Sequence, residues 1–196
     1  MKPDVIARLL EVLERDVVPL TREGVRKGNK IFGAAVLRKS DLSLVVAGTN
    51  LETACPLWHG EVATIKALYE LPRAARPPAG ECLFLSTHEP CSMCLSAITW
   101  AGFDNFYYLF GYEDTREAFQ IPHDLRILSE VFRCENGSYA RENAYWKAHD
   151  IVEEIEARAE PERAALLARV EELRRLYGEL SAHYQRLKSG SEIPLS

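Results

Sequence analysis

His59-Gly60-Glu61 and, about thirty positions later, Pro90-Cys91-Ser92-Met93-Cys94 constrain this chain more than any other feature, because together they supply one imidazole, two thiols and a carboxylate to spare. A catalytic zinc takes three protein ligands and keeps a fourth tetrahedral position for water, whereas a structural zinc is closed by four. His59, Cys91 and Cys94 therefore read as ligands of an open Zn2+ site, and Glu61 as an acid–base group beside it. Cys91 and Cys94 are three apart, which puts both sulfurs on one face of a helical first turn, and Pro90 ends the segment before it without leaving an N–H unsatisfied. His59 and Glu61 would diverge inside a helix, but at a first turn both can face inward. The fold must then aim two helix N-termini at one point, where their partial positive charges favour the thiolate form that binds zinc. An isolated Cys-x-x-Cys would equally suit a redox pair or half of a structural site. Cys55, Cys82 and Cys134 are scattered and read as small core residues rather than ligands.

The remaining pattern predicts an α/β protein. Asp4 can cap a first helix whose apolar stripe runs through Val5, Ile6, Leu9, Leu10, Val12 and Leu13. A Gly-containing basic turn from Gly24 to Asn29 precedes a strand from Ile31 to Leu37, and Ser40-Asp41 makes a hairpin-like link to a second strand, Leu44 to Ala47. Helices from Gly60 to Leu71 and from Cys91 to Ala101 alternate with strands from Cys82 to Ser86 and Phe106 to Phe110. That alternation implies a largely parallel sheet covered on both faces, with the metal where strands meet helix N-termini. A helix is expected from Asp124 to Phe132, and a polar helical region from Asn143 onward. Beyond Pro161, Leu166, Val170, Leu173, Tyr177, Leu180, Tyr184 and Leu187 alternate spacings of four and three, a heptad seam that would pack on its own domain, pair two subunits or lie over the pocket. Ser189 to Ser196 reads as a loose tail.

The pairing of His-x-Glu with Pro-Cys-x-x-Cys matches the signature of zinc deaminases. From about Phe32 to Tyr112 the chain resembles the cytidine deaminase-like superfamily, in the branch of guanine deaminases, fungal cytosine deaminase and tRNA adenosine deaminases. The likeness includes Phe32-Gly33-Ala34-Ala35, Ala47-Gly48-Thr49-Asn50 and Leu85-Ser86-Thr87-His88-Glu89-Pro90-Cys91. Trp58-His59-Gly60-Glu61 is closer to fungal cytosine deaminase, and Ala97-Ile98-Thr99-Trp100-Ala101-Gly102 to guanine deaminases. The resemblance implies a three-layer α/β/α domain over residues 1–150, with 151–196 as an added helical extension and tail. It implies hydrolytic deamination of a nucleobase or nucleoside, guanine ahead of cytosine, with Glu61 carrying protons from water to the ring nitrogen and the departing ammonia.

The resemblance also places Asn50 against the base or sugar, and Phe32, Ala34 and Gly60 where a flat ring can approach. The Glu89 carbonyl would accept from the amino group, and His88 would tune the rim. Trp100, Phe110, Tyr112 and Asp114 would close the pocket, with Asp114 reading ring N–H groups as acids at a similar place do in guanine deaminases.

A formal charge of −5 argues against a polyanion partner and so against the tRNA-editing alternative, which would need a basic footprint. Five cysteines without a disulfide framework, no signal-peptide pattern and no bilayer-length apolar run point to a cytoplasmic protein with a small-molecule substrate, and the heptads to a homodimer. A non-catalytic, zinc-stabilised interaction module built on the C-terminal helix is the alternative outside enzymes, and it leaves Glu61 without a purpose.

Overall fold

The computed structural model describes residues 4–196. The first helix, α1 (Val5–Val12), is capped by Asp4, whose carboxylate accepts from the Ala7 amide at 2.7 Å. It runs through a π-helical turn at Leu13–Val17 into α2 (Val18–Arg26). Pro19 explains the widened turn, since its ring nitrogen cannot donate back into the preceding turn. The helix thus extends into the predicted turn region, and the break comes at Lys27 and at Gly28, whose φ of 87° suits glycine.

Strands β1 (Gly33–Arg38), β2 (Leu44–Thr49), β3 (Cys82–His88), β4 (Asn105–Phe110) and β5 (Lys147–Asp150) form a five-stranded sheet in the order β2-β1-β3-β4-β5. The sheet is mixed rather than largely parallel: β1 is antiparallel to both β2 and β3, and β3, β4 and β5 are parallel. The tight link after β1 accounts for its pairing with β2, because a short hairpin can join only antiparallel strands while parallel neighbours need a crossover. Those crossovers are α4 (Ser92–Ala101) between β3 and β4 and α5 (His123–Phe132) between β4 and β5. The longer connection from β2 to β3 carries α3 (Gly60–Glu70).

Alternation along each strand divides the core. Ala35, Leu37, Leu83, Leu85 and Leu109 face α1, α2 and the C-terminal helices, whereas Ala34, Val36, Phe84, Phe106 and Tyr108 face α3 and α4. The result is the expected three-layer α/β/α arrangement.

Two C-terminal expectations, the helical region from Asn143 and the loose tail, are corrected, and the choice left open for the heptad seam is decided. The segment after Asn143 is not helical until Ile151: residues Lys147–Asp150 pair with β4, and Asp150 then caps α6 (Ile151–Glu156) by accepting from the Val152 and Glu153 amides. Lys-Ala-His-Asp carries no apolar alternation because this strand lies at the sheet edge, where charge guards against further pairing. The heptad seam of α7 (Glu162–Leu187) is spent on its own domain: Leu166, Val170, Leu173, Tyr177, Leu180 and Tyr184 are buried in the same core as α1 and α2, and only Leu187 is exposed. The last residues are not a loose tail, for Ile193 is buried against the domain. Among the described residues no helix is long and apolar enough to cross a membrane.

Candidate active site

His59 and Cys91 occupy equivalent places in two helices. Each is the extended N-cap residue of its helix, and neither side chain caps the helix it precedes. Their imidazole and thiol are thereby free to meet in front of two helix N-termini. Cys94 lies three residues past its N-cap, where an N-cap side chain naturally reaches. The close seating of α3 depends on Gly60: a Cβ there would lie 2.8 Å from the Gly33 Cα and the Phe32 carbonyl. Only a hydrogen at that position lets the helix start this near β1.

Donor atoms of His59, Cys91 and Cys94 all lie within 4.8 Å of one another, and Cys91 Sγ is 3.5 Å from His59 Nδ1. Zinc–sulfur and zinc–nitrogen bonds of ordinary length at a tetrahedral angle would separate those two atoms by about 3.6 Å, so the donor set fits the ion. The protons of the metal-free site point the same way. Burial alone would lower the His59 pKa, but its hydrogen bond to Cys91 and the Cys91 charge outweigh that and push it up to about 9. Hydrogen bonding from Cys94, with His59 beside it, holds Cys91 well below the usual thiol range, while burial and its bond to Cys91 raise Cys94. The three groups thus behave as one coupled thiolate–imidazolium–thiol cluster whose protons a cation displaces.

Glu61 lies in the first turn of α3, 4% exposed. Its pKa is raised, by burial first and the Cys91 charge second. Ser86 Oγ lies 2.9 Å from one carboxylate oxygen and 2.6 Å from the His88 carbonyl, and Cys94 Sγ lies 3.3 Å from the other. Ser86 has one proton, and giving it to the carbonyl leaves its oxygen to accept from a protonated Glu61. The surroundings therefore suit a carboxyl that carries a proton for part of a cycle.

A cavity of about 530 Å³ opens over the cluster. Its walls include Phe32, Pro56 and Leu57, the α4 residues Met93 and Ser96, and, from the β4–α5 side, Ile121, Asp124, Ile127 and Phe132; Ile193, Pro194 and Leu195 lie across its mouth. Asp124, in the first turn of α5, has its pKa raised well above the usual carboxylate range by burial first and by the Cys91 charge second.

Several expected pocket residues lie elsewhere. Asn50 is fully buried with both ends engaged, its Oδ1 accepting from the Gly60 amide and its Nδ2 donating to Glu52 at 2.6 Å. Ala34 is buried in the core layer beneath α3 and α4, and Gly60 serves backbone packing. For Glu89 the expected contact is the backbone carbonyl, while its carboxylate is engaged in a separate, far cleft, where it accepts from Tyr139, Arg141 and the Tyr112 amide. Asp114 lines that same far cleft in an ion pair with Arg174. Trp100 is 92% exposed near the end of α4, a helix length away from the donors. Tyr112 is tied to the Pro90 carbonyl, and Phe110 is core. His88 is not on the rim: it is 2% exposed among Phe32, Phe110, Phe119 and Tyr177, and burial lowers its pKa to about 3. Two acids do line the cavity: Glu52, paired with Lys30, and Asp124, ten residues beyond Asp114. An acid in the first turn of a helix after the last core strand, beside Ile121 and Ile127, was the signal available for Asp124.

The sequence model of the cytidine and deoxycytidylate deaminase zinc-binding region matches residues 10–110, and the chain belongs to that family. It is a deaminase, and zinc is its metal. A curated guanine deaminase of Bacillus subtilis (strain 168) is 32% identical over 111 residues, which are 55% of this chain and 69% of the relative. The solved guanine deaminase of Nitrosomonas europaea shares the fold at a TM-score of 0.51 and 20% identity, over 90% of this chain and 85% of that one. A solved complex with 8-azaguanine aligns with a TM-score of 0.52 at 21% identity, over 91% of this chain and 86% of the other.

Proposed function

We propose that this protein hydrolytically removes an amino group from a free nucleobase, guanine before cytosine. The observation that carries the reading is the conjunction of three zinc donors and the buried Glu61 beside Cys94 with a cavity of about 530 Å³ that reaches His59 and Cys91, a size suited to one small aromatic molecule. The resemblance to guanine deaminases supports the choice of base.

His59, Cys91 and Cys94 hold the metal in this proposal. Zinc, when bound, supplies the Lewis acidity that makes water a nucleophile near neutral pH. Glu61 takes one proton from the attacking water and gives it to the ring nitrogen, then takes the second proton from the added hydroxyl and gives it to the departing amine, the role its raised pKa and its place beside Cys94 support. Asp124 takes the recognition role first assigned to Asp114 and accepts from ring N–H groups. Phe32 packs one side of the ring, and Ile193, Pro194 and Leu195 exclude water from the mouth.

The small-molecule reading also rests on the acidic total charge and the apolar mouth, both ill suited to a phosphate backbone. A homodimer remains part of the proposal, through a face other than the buried α7 seam; the exposed Trp100 marks one such face, and light scattering of the zinc-loaded protein measures the mass. Five unpaired cysteines suit the reducing cytoplasm.

An ammonia-release assay of zinc-loaded protein with guanine, cytosine, adenine and their nucleosides tests the reading. Guanine is expected to be turned over fastest, with little dependence on salt. Cytosine turnover without guanine turnover would reverse the ranking, and silence on every base would remove the proposal.

A further inference from the structure

Glu52 lies in the loop between β2 and α3, 2% exposed, and pairs with Lys30, itself 4% exposed, at 2.7 Å. Burying two charges costs heavily in desolvation, and an apolar pair would often hold such a loop as well. What distinguishes this pair is its neighbour. Glu52 Oε1 is 3.6 Å from His59 Nε2, on the side of the imidazole opposite the Nδ1 that faces Cys91 Sγ at 3.5 Å. The other carboxylate oxygen accepts from Asn50 Nδ2 at 2.6 Å and from the Lys30 amide at 3.4 Å. Asn50 in turn accepts from the Gly60 amide, at the first residue of the helix that His59 precedes. Lys30, Glu52, Asn50 and the start of α3 thus form one continuous chain of contacts behind the imidazole.

We propose that Glu52 is the positioning residue for His59: it accepts a hydrogen bond from Nε2–H, which selects the tautomer that leaves the Nδ1 lone pair for zinc, and is itself held in place by Lys30 and Asn50. The inference rests on His59 being a zinc ligand. A shift of about half an ångström in the imidazole brings the Oε1–Nε2 separation into hydrogen-bond range. An imidazole oriented from behind by a carboxylate is a stronger and better aimed donor, and loss of such a partner typically costs about 10- to 100-fold in metal affinity. It also gives Asn50 a task within the protein, since both its Oδ1 and its Nδ2 are engaged there.

The test is zinc competition against a chromophoric chelator for the full chain, together with the visible spectrum of its cobalt form. Glu52→Gln is expected to weaken zinc about 10- to 100-fold and to shift the cobalt bands. Since removing one member of a buried ion pair can also impair folding, the double variant Lys30→Met with Glu52→Met removes both charges. It is expected to melt near the parent's temperature in metal-free form and still to bind zinc at least tenfold more weakly, which a merely structural pair would not produce. Zinc affinity within twofold of the parent in the double variant overturns the proposal. His59→Ala separates the two levels: if zinc survives that change, the ligand set itself is wrong and Glu52 falls with it, whereas loss of zinc in His59→Ala with full affinity in the double variant overturns Glu52 alone.

Discussion

Acidic side chains gather on two sides of the turn His88-Glu89-Pro90, and they are treated in opposite ways. In the far cleft Glu89 is answered by Tyr139, Arg141 and the Tyr112 amide, and Asp114 by Arg174. Around the metal donors, Glu52 is paired with Lys30, but Glu61 has hydroxyl and thiol partners, no ion pair is formed by Asp124 among the described residues, and the Glu61 and Asp124 carboxyls have raised pKa values. Paired acids stabilise a fold and have no remaining capacity, whereas buried acids without a cation have proton affinities moved toward neutrality and remain open to a ligand. The same residue type thus performs two jobs, and the neighbours decide which.

The contrast breaks first if Glu61 is dispensable. Glu61→Gln should retain zinc by elemental analysis yet lose about 10²- to 10⁴-fold in kcat, the usual share of a positioned proton carrier. Zinc uptake by the metal-free protein comes next. With the His59 pKa raised from 6.5 to about 9 and the Cys94 thiol raised as well, each zinc bound below pH 9 must displace two protons, so apparent affinity should rise about 100-fold per pH unit between pH 7 and 8, with proton release detectable by calorimetry in buffers of different ionisation enthalpy. The sign reverses for folding. A raised His59 pKa stabilises the metal-free protein fully below pH 6.5, and that stability should drain away as pH climbs through about 9, which thermal melts would follow.

Asp124→Asn is expected to lower kcat/KM for the preferred base by about 10- to 200-fold, as loss of one recognition contact does, while leaving the melting temperature close to the parent's. On the paired side the order inverts. Glu89→Ala leaves the Tyr139 hydroxyl and Tyr112 amide without their acceptor and should cost about 2–3 kcal/mol in denaturant unfolding, with kcat scarcely changed. Asp114→Asn should be the mildest, under about 1 kcal/mol, because its ion pair with Arg174 is partly solvated. An Asp114→Asn enzyme with strongly reduced kcat/KM and an unaffected Asp124→Asn enzyme would exchange the two roles.

The metal donors and Glu61 were legible because their spacing encodes a local geometry: an N-cap and the first turn after it are settled within four residues. Strands of the core were legible for the same reason, since alternation or an apolar run survives in short windows. The edge strand Lys147–Asp150 was not, because its sheet partner supplies the order that its own polar residues do not advertise. Substrate-facing positions were the least legible. Asp114 and Asp124 are both acids near the start of a helical turn, and nothing within either segment says that Arg174, sixty residues on, will claim the first.

By itself, then, the order of residues picked out the donor set, the carboxylate beside it and most of the helices and strands, each a matter of neighbours along the chain. Tertiary structure alone decided that the heptad seam of α7 would close the protein's own core, that Ile193 to Leu195 would cross the pocket mouth, and that Glu52 would stand behind His59. Such outcomes depend on which distant groups compete for one buried partner, and burial makes that competition decisive because a polar group left unanswered in the interior is costly.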